Sequence, residues 1–366
     1  MVYLPPGEYI ISEGIVFPPD KPVVLVGSGC SKNPVGDDLS GTVIKYTGSG
    51  NAITVGRQDG TNSVLLGWGA IKNLCIEGST ESGNLIYMEG AVNGEISNVI
   101  LKKTGKFALE EYYSWANFFH NIYAMGFGLQ ADKNHRYAGF YSHHSVTFTT
   151  YLNVNAMWSG YANSENVDGF WVHSATNVNY INCNAHHLGG YGWVIGANGS
   201  WGITPTARTQ NINIIGSYAE KIKDVYIRVI GCKNNCPVST PEWLAKPEPL
   251  NIHIRDTYLN LRDSGHATTA ILVGTSSRVF IDGVHIRGRS GVKGIRIETG
   301  AEDTRIGSNY CEYVDVEVED AGKRTSYNGK GFVSGEIIAN EWQTGDIICN
   351  ETACFIVDPE KTLRRL

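Results

Sequence analysis

Five residues able to take part in acid–base chemistry recur at the end of short segments rich in apolar residues. They are Glu89, Glu110, Asp132, His173 and Arg228. Two carboxyl groups on either side of a glycosidic bond can hydrolyse it, one as the acid and the other as base or nucleophile. A base placed beside a uronate, with a cation that neutralises the uronate carboxylate, would instead make a lyase. These residue types therefore predict chemistry on a carbohydrate.

Aromatic residues accompany three of these groups, two positions earlier in the same segment. They are Tyr87, Trp171 and Tyr226. Aromatic rings can stack on sugar faces, so we predict a substrate-binding role for the three rings and for Arg228. In the hydrolase alternative we expect Glu89, Glu110, Asp132 and His173 to be catalytic, with no cofactor. In the lyase alternative, His173 or Arg228 is the base and the carboxylates can hold Ca²⁺.

The segments that carry these residues are copies of one repeating unit. Copies are 23 residues apart from Trp171 to Val194 and 24 apart from Leu272 to Arg296. A second segment follows in each copy, with apolar residues alternating with polar ones, as at Val178 and Tyr180. Alternation with period two is typical of half-buried strands. One copy is too small to bury its apolar face, so the repeats predict an all-β parallel β-helix of stacked coils.

Stacking sets the distances between the candidate groups, because equivalent positions on successive coils lie about 4.8 Å apart. We align Glu89, Glu110 and Asp132 in one column. Adjacent coils then suit the carboxyl separation of a retaining glycosidase, and Glu89 with Asp132 suits an inverting one. A shift of one residue would turn Glu110 inward and Glu111 outward.

Structural interpretations of the same residues stay open. Carboxylates on exposed strand positions commonly serve solubility, His173 can be a hydrogen-bonded surface histidine, and Trp171 can pack beneath a loop. We interpret the pairs His143-His144 and His186-His187 as corner residues in preference to metal ligands. Repeated asparagines, at 177, 182 and 211, are interpreted as structural.

Charge and composition exclude other classes of function. The net charge is −6, with no run of Lys and Arg, which argues against a nucleic-acid partner. No segment has 18 consecutive apolar residues, so no membrane span is expected. The chain opens directly in a strand-like segment, which suggests that a preceding signal or domain was removed.

The cysteines suggest disulfides, although zinc remains an alternative. Cys232 with Cys236, and Cys349 with Cys354, each bracket a short loop that a disulfide could close. The two pairs together could instead bind one zinc ion. We expect Cys75 and Cys183 to be core residues.

The opening VYLPPGEYIISEGIVFPPDKPVVLVGSG resembles the first turns of the pectate-lyase-like superfamily of single-stranded right-handed parallel β-helices. The resemblance rests on Tyr3 to Gly7 and Tyr9, and then on Pro18, Leu25, Gly27 and Gly29. It implies the right-handed fold and leaves the substrate open, because lyases, hydrolases, epimerases and phage tailspikes share it.

The stretch NVDGFWVHSATNVNYINCNA is similar to two groups of that superfamily. Asn166 and Asp168 match the polygalacturonase type, but its paired aspartates are replaced around Gly190. The tailspike type, which has no fixed catalytic motif, is the better match. This resemblance implies an extracellular or virion-surface protein and a homotrimer.

We therefore expect a β-helix over residues 1–340, with cap turns at 1–30 and a loop insertion at 232–249. Residues 341–366 are expected to form a C-terminal cap or subunit-contact segment. The expected function is to bind and depolymerise a polysaccharide. The alternative is a non-catalytic protein, either a glycan-binding adhesin or a structural fibre or virion appendage.

Overall fold

A computed structural model describes residues 1–18, 21–32, 38–56, 65–159, 166–197, 207–231, 249–263, 266–327, 330–332, 347–349, 354–357 and 363–365. Within these ranges the chain forms strands and no helix, and therefore no helix that is long and apolar enough to cross a membrane. Of the insertion predicted at 232–249, only residue 249 lies inside the described residues. The predicted segment 341–366 is described only as three short strands.

Eleven parallel strands, one from each coil, form the sheet that we call the site sheet. Its strands are Ile15–Phe17, Ile53–Gly56, Ile86–Glu89, Leu109–Tyr112, Tyr137–His143, Val167–Val172, Trp193–Gly196, Ile227–Ile230, Thr269–Val273, Lys293–Ile297 and Val316–Asp320.

The remaining faces of the coils belong to a larger, bent sheet of 26 strands, which we call the large sheet. Its strands are Val2–Leu4, Gly7–Ile11, Val23–Gly27, Cys30–Lys32, Leu39–Tyr46, Gly69–Glu77, Glu95–Lys102, Phe118–Met125, Val146–Thr147, Thr150–Ser159, Ala175–Ile181, Asn184–Leu188, Gln210–Ile215, Tyr218–Ile222, Leu250–Arg255, Tyr258–Asn260, Ser276–Asp282, His285–Arg287, Ala301–Glu302, Arg305–Ile306, Tyr310–Glu312, Thr325–Tyr327, Lys330–Phe332, Ile347–Cys349, Cys354–Val357 and Leu363–Arg365. A two-stranded pair is formed by Leu65–Leu66 and Ala91–Val92.

The core lies between the sheets, where inward-facing residues stack from coil to coil. In the site sheet the inward row includes Phe140, Phe170 and Trp193, whose rings stack at centroid distances of 5.2 and 5.1 Å. All three side chains are buried. In the large sheet the repeated pairs align as predicted, with Val178 beside Ile212 and Tyr180 beside Ile214. The predicted parallel β-helix is confirmed.

Asparagines form ladders where the large sheet bends. Asn98 donates to Asn73, and Asn121, Asn153 and Asn182 continue the series with bonds of 2.6 to 3.2 Å. Each of the five has a positive φ between 51° and 55°. Asparagine tolerates this left-handed conformation better than most residues, and its amide can bond to the coil on either side. The structural interpretation of Asn182 is confirmed, and Asn211 likewise donates to Asn177 at 2.9 Å.

Cys75 is a buried core residue, as expected, but its disulfide was not predicted. Cys75 is paired in a disulfide with Cys30, across 45 residues of chain. Its strand lies beside the first turns, which brings the two sulfurs together. Cys183 is a free, buried core residue, as expected. Cys232 and Cys236 lie outside the described residues, and Cys349 faces Cys354 in an antiparallel strand pair, so a bridge there stays a prediction.

Candidate functional site

Two outward columns on the site sheet contain the candidate groups. In the first, Tyr87, Glu110, Tyr141 and Trp171 occupy neighbouring positions on four successive coils. In the second, which lies two residues further along each strand, Glu89, Tyr112 and His143 are neighbours. We call the group formed by Tyr87, Glu89, Glu110, Tyr112 and His143 the acidic–aromatic cluster.

The predicted alignment of Glu110 with Glu89 is wrong by two residues. Glu110 pairs with Tyr87, and Tyr112 pairs with Glu89. The two carboxylates are therefore diagonal neighbours, and their Cα atoms lie about 8 Å apart from the strand spacing and rise. A shift of two residues keeps a side chain on the same face, so Glu110 faces outward as expected. If the two side chains run parallel, their carboxyl groups have a similar separation, which is within the roughly 6.5–9.5 Å of inverting glycosidases.

Glu110 is held by two donors. One carboxylate oxygen lies 2.9 Å from His143 Nε2, and the other accepts a 2.5 Å hydrogen bond from the Asn84 side-chain amide. The side chains of Glu110 and His143 are each 16% exposed. Both are thus largely desolvated yet reach the surface. The two bonds fix the position of the carboxylate.

Glu89 accepts a 3.1 Å hydrogen bond from the Tyr87 hydroxyl. Burial raises the pKa of Tyr87, and the negative charges of Glu89 and Glu110 raise it further. The phenol therefore stays protonated and donates a hydrogen bond to Glu89. Both carboxylates raise the pKa of this one side chain, so Tyr87 lies at the centre of the acidic–aromatic cluster.

Rings surround the histidine. Tyr112 stacks on His144 at 4.3 Å and meets His143 edge-on at 5.2 Å. Tyr141 stacks on His143 at a centroid distance of 4.1 Å. His143 is thus packed against two tyrosine rings while its Nε2 lies 2.9 Å from Glu110.

Trp171 and His173 lie deeper than expected. His173 is 3% exposed and Trp171 is 2% exposed, whereas both were predicted to be solvent-accessible residues of an outward column. The Tyr141 hydroxyl lies 2.6 Å from His173 Nε2, and Trp171 Nε1 donates to the Gly196 carbonyl at 3.1 Å. Burial lowers the pKa of His173 far below its usual value, with a further contribution from His143 and His144. His173 is therefore a neutral partner of Tyr141.

Asp132 and Tyr226 lie away from the cluster. Asp132 is exposed in a turn before Tyr137–His143, where it accepts bonds from the backbone amides of Asn134 and His135. Its placement in the column is wrong, because the segment Lys133–Ser145 supplies the strand of that coil. Tyr226 is fully buried in the core and its hydroxyl donates to the Asn260 carbonyl at 2.7 Å.

Arg228 is in the outward column, but four coils from Glu110. It pairs with Val194 and Leu272, and its guanidinium lies 5.2 Å from the Tyr191 ring centroid and bonds to that residue's hydroxyl. Arg136 lies on the same ring at 4.5 Å and forms a 2.6 Å ion pair with buried Asp168. Asp168, which resembled a polygalacturonase residue, is thus in a buried ion pair.

Four residues of the site were not predicted, namely Asn84, Tyr112, Tyr141 and His143. The signal for the last two was present in the sequence. Phe140-Tyr141-Ser142-His143 has the same pattern of aromatic, aromatic, any residue and histidine as Phe170-Trp171-Val172-His173. The strands containing Phe140 and Phe170 are in fact neighbours in register.

Among the described residues, three metal-ligating side chains converge at His186, His187 and Glu220, on the large sheet, and not at Glu89 and Glu110. The Ca²⁺ considered for a lyase therefore stays a prediction. The acidic–aromatic cluster itself contains two carboxylates, a histidine and tyrosine hydroxyls. Such groups can transfer protons to and from a bound molecule.

No protein-family model matches the sequence, and no curated protein matches it. Solved structures do. The A-module of mannuronan C-5 epimerase AlgE4 from Azotobacter vinelandii is 16% identical, with a TM-score of 0.54, over 90% of this chain and 91% of that one. DFA-IIIase from Arthrobacter chlorophenolicus A6 is 12% identical, with a TM-score of 0.56, over 89% and 82%.

The catalytic unit of a GH87 alpha-1,3-glucanase from Streptomyces thermodiastaticus is 12% identical, with a TM-score of 0.52, over 88% of this chain and 62% of that one. Identities this low support the fold alone. With the parallel strand pairing, they show that this chain has the right-handed parallel β-helix fold.

Proposed function

We propose that the protein is a polysaccharide-cleaving enzyme, an inverting glycoside hydrolase that uses Glu89 and Glu110. The observation that carries this proposal is their diagonal placement around Tyr87, with His143 and Asn84 holding Glu110. Three similar structures are of enzymes named for carbohydrate substrates or glycoside hydrolysis, which supports the same class.

The roles are assigned from the surroundings of each carboxyl group. Glu110, oriented by two hydrogen-bond donors, is assigned as the base: it takes a proton from a water molecule, and the water oxygen bonds to the anomeric carbon. Glu89 is assigned as the general acid, which must be protonated when the substrate is bound, and it gives that proton to the leaving oxygen as the glycosidic bond breaks. In this proposal the rings of Tyr87 and Tyr112 contact the sugar on either side of the carboxylates.

The first test is product analysis on neutral and uronate-containing polysaccharides, among them polymannuronate and α-1,3-glucan. New reducing ends of inverted configuration, without unsaturated uronates, are expected. Azide should partly restore Glu110→Ala, giving a glycosyl azide, and should not restore Glu89→Ala. A glycosyl fluoride, whose leaving group needs no acid, should restore Glu89→Gln. A product of retained configuration contradicts the proposal.

A second candidate is a lyase. It is favoured by the Tyr141–His173 hydrogen bond, in which a phenol and a neutral imidazole lie beside the cluster. Such a pair can take a proton from C5 of a uronate and return one to the leaving oxygen. Ultraviolet absorbance from unsaturated uronates, lost in His173→Gln, would establish it. Glycan binding without any cleavage across the panel would support the adhesin alternative.

An extracellular or virion-surface location and a homotrimer belong to the same proposal. They are supported by the resemblance of the sequence to tailspike-type proteins. Light scattering of the purified chain measures its mass directly, and a mass of one chain contradicts the trimer.

A further inference from the structure

A second group of functional side chains lies on the large sheet, away from the acidic–aromatic cluster. His186 and His187 are in the strand Asn184–Leu188, and Glu220 is in Tyr218–Ile222 of the next coil. His186 and Glu220 are direct partners in the parallel register. Two imidazoles and a carboxylate are therefore brought together by strand stacking, although 33 residues separate His187 from Glu220.

Adjacent residues in a strand normally point to opposite faces. His187 is an exception because its φ is 55°. Both histidines are therefore half-buried on the outer surface, while Ala185 and Leu188 face the core. Trp158 and Lys221 have φ values of 51° and 50°, which shows that the bend recurs from coil to coil. The bend places His187 beside His186 on one side of the sheet.

The distances suit a metal ion. The two Nδ1 atoms are 3.0 Å apart, and one ligand atom from each of His186, His187 and Glu220 lies within 4.8 Å of the others. Ligands at 2.0–2.1 Å from a tetrahedral zinc ion lie about 3.3 Å apart. The three side chains need only a small movement to reach that geometry.

The carboxylate is also oriented. Tyr218 donates a 2.6 Å hydrogen bond from its hydroxyl to one oxygen of Glu220. Neighbours that bond to a ligating carboxylate fix its direction and raise its affinity for metal. The other oxygen of Glu220 can then bind a cation beside His186.

We propose that His186, His187 and Glu220 bind one divalent transition-metal ion, with Zn²⁺ as the best match. Two imidazoles and one carboxylate are a ligand set that zinc accepts with a fourth position left for water. Hard cations such as Mg²⁺ and Ca²⁺ prefer oxygen ligands and are not expected to compete. Lys221, next to Glu220, opposes the cation and sets an upper limit on the affinity.

The test is calorimetric titration of the metal-free full chain with ZnCl₂. One ion per chain is expected, and His186→Gln or Glu220→Gln should weaken binding by at least tenfold. His187→Asn, which keeps a residue tolerant of positive φ, should do the same. His253→Gln is the matched control, because His253 lies on the same sheet stacked on Phe280, and should bind as the wild type does.

Two further measurements separate a ligand role from a structural one. Lys221→Gln should tighten zinc binding severalfold, a gain that damage to the fold cannot produce. Cu²⁺ should quench the fluorescence of Trp158, whose ring lies 5.8 Å from His186 and 6.3 Å from His187, and Trp158→Phe should remove that part of the quenching. Absence of stoichiometric zinc binding, or binding unchanged by both His186→Gln and Glu220→Gln, overturns the proposal.

Discussion

Glu110 and Glu111 are neighbours in one strand and have opposite environments. Glu110 faces outward, where His143 and Asn84 bond to it at the edge of solvent. Glu111 is completely buried inside the β-helix, where it accepts bonds from Asn117, Thr149 and Ser142 at 2.9, 2.8 and 3.2 Å. The pleat of the strand separates them, because successive side chains point to opposite faces.

The comparison shows that two neighbouring carboxylates of a β-helix can have different roles, one at the surface and one in the interior. Burial raises the pKa of Glu111 to about 7, and its hydrogen-bond donors only partly oppose that rise. The group thus changes protonation near neutral pH without access to solvent. Its donors come from three different segments of the chain, so Glu111 connects adjacent coils. We interpret Glu111 as a structural residue and Glu110 as the functional one.

The largest expected effect is on enzymatic activity, and it distinguishes Glu110 from Glu111. Glu110→Gln should lower kcat by about 10²–10⁴-fold, the usual contribution of a general base, because it removes the proton acceptor. Its unfolding free energy should fall by no more than about 1.5 kcal/mol, because glutamine keeps the size of the side chain and can still hydrogen-bond to Asn84 or His143. Product release and urea unfolding measure the two quantities.

Glu111→Gln is the control for that experiment, since it changes the same functional group one residue away. It should keep activity within a few-fold. A comparable loss of activity in Glu111→Gln, with the fold intact, would break the comparison.

The next effect is on the pH dependence of stability. The pKa of Glu111 is about 7 in the folded chain, against an ordinary value of 4.5. The folded state therefore holds this proton more tightly, and the stability it contributes is complete below about pH 4.5 and is lost as pH rises through about 7. The difference corresponds to a loss on the order of 3 kcal/mol.

Urea unfolding at pH 5 and pH 8 measures that loss. Glu111→Gln, which cannot ionise, should remove this part of the pH dependence, whereas Glu110→Gln should retain it. A slope that persists unchanged in Glu111→Gln would mean that other groups cause it.

The smallest effect concerns the histidine that orients Glu110. His143→Asn removes a charge-assisted or polar hydrogen bond to the carboxylate, and the loss of such a bond is worth about 1.5 kcal/mol, or roughly tenfold in kcat. We expect KM to change little, because the rings proposed to contact the sugar, Tyr87 and Tyr112, remain.

His144→Asn is matched to it, since His144 is the next residue and stacks on Tyr112, whereas the side-chain hydrogen bonds described for Glu110 are to His143 and Asn84. Its kcat should stay near that of the wild type. Equal losses in both variants would show that ring packing, and not the bond to Glu110, supports the site.

Some features were predictable because they repeat locally. Alternation of apolar and polar residues identified the strands around Val178 and Ile212, and the outward direction of Glu89 and Glu110. The segment Tyr137–His143 was missed because its coil begins with a long turn. The distance from Tyr141 to Trp171 is 30 residues, not 23 or 24, so a fixed repeat length placed Leu129–Asp132 in the column instead.

The sequence by itself determined the parallel β-helix and the face on which Glu89 and Glu110 lie, because a period of two residues is a local property of a strand. Only the tertiary structure decided which residues are neighbours across coils. Turns of unequal length can shift the register between coils by an even number of residues. Such a shift keeps each side chain on the same face of the sheet but changes its neighbours on the adjacent coils. That is why Glu110 lies beside Tyr87 and His143, and why His186 meets Glu220.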